Sequence, residues 1–149
     1  MIRKIIIGLI GSEQIDCEKD INKVIKIFTD VGFYRTSISS KTKEVAKYLL
    51  PGNIFPEETL DKIRSKGYNV SKYYWVNLVL ASVPDDKNLI IIDDIRKEDI
   101  IENVIIPYIL CDSEDNFIDG FETINVNNSE LDNDIHKKIK KIASSKNQL

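Results

Sequence analysis

Three stretches of the chain carry side chains that could act on a phosphate. The first is Gly8-Leu-Ile-Gly11-Ser-Glu13-Gln-Ile-Asp16-Cys17-Glu18-Lys19-Asp20. It stands between an apolar run and an amphipathic stretch, where a glycine-containing loop can wrap a phosphate with its backbone N–H groups and a Gly-Lys-Ser/Thr ending can add a charge and a metal-directed hydroxyl. Gly8 and Gly11 suit such a loop. Its ending does not: Asp16-Cys17 takes the place of Gly-Lys, and Lys19-Asp20 follows two positions later. Two residues rotate a side chain by about 200° around a helix, so Lys19 could replace the missing lysine only if the loop bulged. Glu13, Asp16 and Glu18 would repel an anion where a helix N-terminus should attract one. The same residues read equally as a plain strand-to-helix turn with acids capping the helix.

The second stretch is Leu89-Ile-Ile-Ile-Asp93-Asp94-Ile95-Arg96. An acid at the carboxyl end of a buried strand is placed to hold Mg²⁺, which makes Asp94 the candidate metal ligand, and Arg96 could neutralise phosphate charge. Two adjacent acids there also make an ordinary N-cap for the next helix. The third stretch runs from Gly32 to Ala46 and contributes Arg35 and Lys43. Arg35 could meet an anionic substrate, though a solvated surface arginine is the commoner outcome.

These residues need a scaffold, and the apolar spacing supplies one. Lys4 to Ile10 and Leu89 to Ile92 are apolar without alternation, as expected of strands covered on both faces. Ile21, Val24, Ile25 and Phe28 recur at helical spacing, as do Val45, Ala46, Leu49 and Leu50 within a second helix read from Lys41 to Leu50. Phe33 to Ser37 reads as a short strand between them, and Pro51-Gly52 stops the second helix. A helix from Pro56 to about Gly67 follows, then an apolar stripe from Tyr73 to Val83 that includes Trp75 and Val79. Beyond the Asp93-Asp94 strand end, Arg96 to Val104 reads as helix and Val104 to Leu110 as strand. Asp112 to Asp119 reads as a polar loop, Phe117 to Val126 as the last strand, and Ile135 to Ile142 as a basic closing helix. Strands alternating with helices predict an α/β fold, a mainly parallel sheet flanked by helices, in one domain over residues 1–149 with a frayed tail at 144–149. Leu89 to Ile92 should neighbour Ile5 to Gly8 at its centre. Tyr68, Tyr73, Tyr74 and Trp75 could stack a base, but core packing is the commoner role of aromatics on an apolar stripe.

The composition narrows the classes. With 21 basic and 24 acidic residues in 149, a nucleic-acid partner is not expected. No apolar run is long enough to span a bilayer, so no membrane association is expected. Cys17 and Cys111 have no metal-type spacing and His136 is the sole histidine. A zinc site is not expected, and a cytoplasmic location with free thiols follows.

Taken in order, these features resemble the P-loop deoxynucleoside monophosphate kinases of bacteriophages. The likeness rests on the Gly8 loop, on Gly32-Phe33-Tyr34-Arg35 leading into the Lys43-Glu44 helix start, on Trp75 one helix before the strand, and on Asp94-Ile95-Arg96. It covers about residues 2 to 104; the last third matches only through Leu131-Asp132-Asn133 and the closing helix. The resemblance implies transfer of the γ-phosphoryl group of ATP, with Mg²⁺, to a deoxynucleoside monophosphate in a host cytoplasm. It places Gly8, Gly11 and, if the loop bulges, Lys19 at the phosphate loop, Asp94 and Arg96 at the catalytic triplet, and Lys43 near the acceptor nucleotide. Positioning and charge neutralisation do most of the work in phosphoryl transfer, so loss of the loop lysine predicts weak or lost catalysis. The expectation is a kinase-like protein that binds a nucleotide or a protein partner, with an active kinase using ATP and Mg²⁺, and a protein-interaction domain on the same fold, as alternatives. A homodimer stays open.

Overall fold

The computed structural model describes residues 4–11, 18–111, 122–127 and 130–147. Five strands form one sheet in the order β2-β3-β1-β4-β5, with every pairing parallel: β1 (Ile5–Ile10), β2 (Tyr34–Thr36), β3 (Leu89–Ile95), β4 (Ile105–Cys111) and β5 (Glu122–Asn125). The fold is α/β, and β1 and β3 are neighbours, with Ile5 opposite Leu89 and Ile7 opposite Ile91. Alternation along these unbroken apolar strands feeds both faces at once. Ile7, Leu9 and Ile91 enter one core with Val24, Phe28 and Ile135; Ile6, Ile10, Ile90 and Ile92 enter the other with Ile38, Trp75 and Val79.

The first face is thus covered by α1 (Glu18–Val31) and α5 (Leu131–Asn147), and the second by α2 (Ile38–Leu49) and α4 (Tyr74–Ala81), with α3 (Glu57–Val70) packed against both. The β1-to-β2 connection crosses β3 on the first face. The β3-to-β4 connection crosses β1 in the opposite direction on the second, where Ile100 and Ile101 pack. Opposite directions on opposite faces give the same hand, as expected of parallel crossovers.

The structure corrects the sequence reading in three places. Arg96 to Val104 is not a helix but a single 3₁₀ turn, Lys97–Asp99. Asp99 folds back to accept the Arg96 N–H at 2.8 Å, a side-chain bond that competes with helical pairing, and Asn103 adopts a left-handed φ of 68°. The second helix starts at Ile38 rather than Lys41, because Ser37 caps it by accepting the Ser40 N–H at 3.2 Å. Strand β3 also runs on past Asp93-Asp94 to Ile95. The proposed loop 112–119 and the first residues of the last strand lie outside the described residues.

Candidate functional site

The acids at the end of β3 are placed by a register slip. Gly8 pairs with Ile92 and Ile10 with Ile95, so β1 advances two residues while β3 advances three, and Asp93 and Asp94 together oppose Leu9. Such a bulge re-aims the side chains that follow it. Ile95 returns to the second core, over Gly8, where any Cβ would run into the Ile95 and Ile105 side chains. Gly8 therefore lies inside β1, and its missing side chain serves close packing. The loop begins at Gly11, whose φ of 93° suits glycine. Residues 12–17 and the side chain of Lys19 lie outside the described residues, and with them Asp16-Cys17.

The two acids face different partners. Asp93 is mostly buried, and its Oδ2 pairs with the Nε of Arg35 on β2 at 2.7 Å. Burial, with Asp94 beside it, pushes the Asp93 carboxyl up from the usual aspartate range, against the pull of Arg35. The Arg35 side chain is half exposed, with no hydrogen bond from either Nη to a described residue. Asp94 caps a helix, but the helix is α2, far away in sequence: its Oδ1 accepts the Ile38 N–H at 2.7 Å and its Oδ2 the Ser39 N–H at 2.8 Å. With Ser37 holding Ser40, the first three amides of α2 are satisfied by side chains.

A cleft of about 440 Å³ opens beside β2, lined by Tyr34 to Ser37, Ser40, Lys41, Ser82 and Asp93. Two cations, Arg35 and Lys41, line it with Thr36, Ser37, Ser40 and Ser82. The Ser40 and Ser82 hydroxyls donate to the Ser37 and Leu78 carbonyls, and the Ser37 hydroxyl holds the Ser40 N–H. Lys41 is the cation on the α2 side, resting against Glu44 at 3.2 Å. Lys43 sits on the exposed side of the same helix and does not line the cleft; two residues turn it about 200° from Lys41. A larger depression of about 610 Å³ lies elsewhere, lined only by α3 residues between Glu57 and Asn69, and no second element brings groups to it.

Arg96 is drawn into a separate cluster. Its guanidinium pairs with Asp61 of α3 at 3.0 Å, and one turn along α3 the charges reverse, with Arg64 pairing to Asp99 at 2.7 Å. Arg64 also donates to the Asp94 carbonyl at 3.1 Å and to the Tyr68 hydroxyl at 3.0 Å, while Tyr68 donates to Asp99 at 2.7 Å. Burial, then the bond to Asp99, pushes the Tyr68 phenol well above the usual tyrosine range. This clasp between α3 and the end of β3 is absent from the sequence reading. Its only local signals were the reversed spacings, Asp61 to Arg64 and Arg96 to Asp99.

Of the residues singled out in sequence, then, Arg35 and the β3 acids meet at one place, Arg96 stands in the adjoining clasp, and Lys43 stands apart. Among the described residues no group of three or more histidines, cysteines or acids gathers that could hold a metal ion. The donor set at β3 is a poor fit to Mg²⁺: it is two acids, of which Asp94 already accepts an amide on each oxygen and Asp93 lies against a guanidinium. No helix among the described residues is long and apolar enough to cross a membrane. No family model, curated protein or solved structure matches the chain.

Proposed function

We propose that the protein is a deoxynucleoside monophosphate kinase-like nucleotide-binding protein, of phage type, in which phosphoryl transfer is weak or lost. The observation that carries this reading is the cleft at β2 and α2, which Arg35 and Lys41 both line, beside the strand end that the resemblance marks. Arg35 is held through its Nε, so its planar fork is preorganised and both Nη groups stay available for a phosphate. The parallel neighbours β1 and β3, the arrangement that reading required, support it further. The loop chemistry argues for binding without transfer, since Asp16-Cys17 replaces Gly-Lys. Any protein partner would be a separate matter from this cleft.

Replacing Arg35 by alanine removes the bidentate donor and leaves Asp93 without its cation. The expected result is a loss of deoxynucleoside monophosphate affinity of about tenfold or more, as for a charge-assisted pair worth about 1.5 to 3 kcal/mol, with the fold retained. Calorimetric titration of both proteins measures it. Unchanged affinity in the Arg35→Ala protein would remove the phosphate from this cleft.

A further inference from the structure

We propose that Asp94 is a positioning residue, a resident anion at the amino end of α2 that fixes the wall of the cleft, and not a ligand for a divalent cation. The part that concerns phosphate rests on the reading of the cleft given above. A helix amino end normally offers unpaired N–H groups to an anion. Here those groups are already engaged, with Ile38 and Ser39 on the two oxygens of Asp94 and Ser40 on Ser37. The contact joins residues 56 and 55 positions apart, so it ties the β3 bulge to α2 rather than capping a neighbouring helix.

Two consequences follow for ligand chemistry. Mg²⁺ takes near-octahedral oxygen ligands at about 2.0 to 2.1 Å, and Asp94 could offer it only the lone pairs left beside the two α2 amides. It would also meet the guanidinium that pairs with Asp93. A phosphate monoester, for its part, cannot use the amino end of α2, because a carboxylate occupies it. It must be gripped by side chains, with Arg35 and Lys41 supplying the charge that a metal ion would otherwise bring. The ligand class is therefore a metal-free phosphate monoester, and α2 must be held in place for Lys41 to reach it.

The test uses the full chain. Amide resonances of Ile38 and Ser39 are followed during titration with Mg²⁺ alone, and deoxynucleoside monophosphate binding is measured by calorimetry with Mg²⁺ and with a chelator. The expected result is no shift of those two amides with Mg²⁺ and the same monophosphate affinity, within about twofold, in both conditions. In Asp94→Asn, the Ile38 and Ser39 amides should exchange with solvent faster whether or not Mg²⁺ is present, and monophosphate affinity should fall. Overturning results are a saturable Mg²⁺-induced shift at Ile38 and Ser39 that Asp94→Asn abolishes, or a monophosphate affinity that rises more than tenfold with Mg²⁺. If no monophosphate binds in either condition, the reading of the cleft fails. The amide response to Mg²⁺ and to Asp94→Asn then decides the role of Asp94 alone.

Discussion

Replacing Asp99 by alanine is expected to destabilise the protein by about 3 to 5 kcal/mol, the usual cost of removing one partner from a buried ion pair. The Asp99 side chain is 0% exposed and that of Arg64 4%. Asp99 accepts from three donors: Arg64 at 2.7 Å, the Tyr68 hydroxyl at 2.7 Å and the Arg96 N–H at 2.8 Å. Truncation leaves a buried guanidinium without its counter-charge and frees the turn that holds the end of β3. Tyr68→Phe removes a single hydroxyl and should cost about 1 kcal/mol by comparison. Urea unfolding at neutral pH measures both, and a loss below about 1 kcal/mol for Asp99→Ala would show that the clasp is not closed in solution.

Trp75→Ala is the second large effect, with an expected loss of about 3 to 5 kcal/mol. Trp75 is 1% exposed and lies edge-to-face with Tyr74 at a centroid distance of 4.8 Å. Its indole N–H donates to the Arg64 carbonyl at 2.8 Å, and it packs so closely on Gly67 that a Cβ there would collide with the ring. The indole thus supports the backbone of the residue whose side chain reaches Asp99. Because the two sites share Arg64, the double variant should lose less or more than the sum, with a coupling of about 0.5 to 3 kcal/mol. A folded Trp75→Ala protein with unchanged stability and lost ligand affinity would instead place the indole in a binding site.

Much of the architecture could be read from apolar spacing. Strands β1 and β3 announce themselves as isoleucine-rich runs without alternation because both their faces are covered, and α1 and α4 because one stripe of each must meet the sheet. The nine residues from Arg96 to Val104 misled for a physical reason. Their spacing suits a helix, but Asp99 is claimed by Arg64 and Tyr68, 35 and 31 positions upstream, which a local pattern cannot register. The site was half legible. Asp93-Asp94 stood out as acids at a strand end, and one ordinary explanation, a helix cap, turned out to describe Asp94, though for α2 and not for a following helix. Arg35 was visible by its position in the short strand β2. Lys41 was passed over for Lys43, because which of two nearby lysines faces a cleft depends on helix rotation, and the helix start was placed three residues late.

The central claim, that the cleft beside β2 recognises a nucleoside monophosphate while the altered loop no longer grips a triphosphate, is tested most directly by calorimetric titration of the unmodified protein with each deoxynucleoside monophosphate and with ATP and Mg²⁺. Saturable binding of at least one monophosphate, with no binding of ATP and Mg²⁺ at comparable concentration, is the expected result. Tight ATP binding with rapid phosphorylation of the monophosphate, abolished by Lys19→Ala, would contradict it and make the loop a working one.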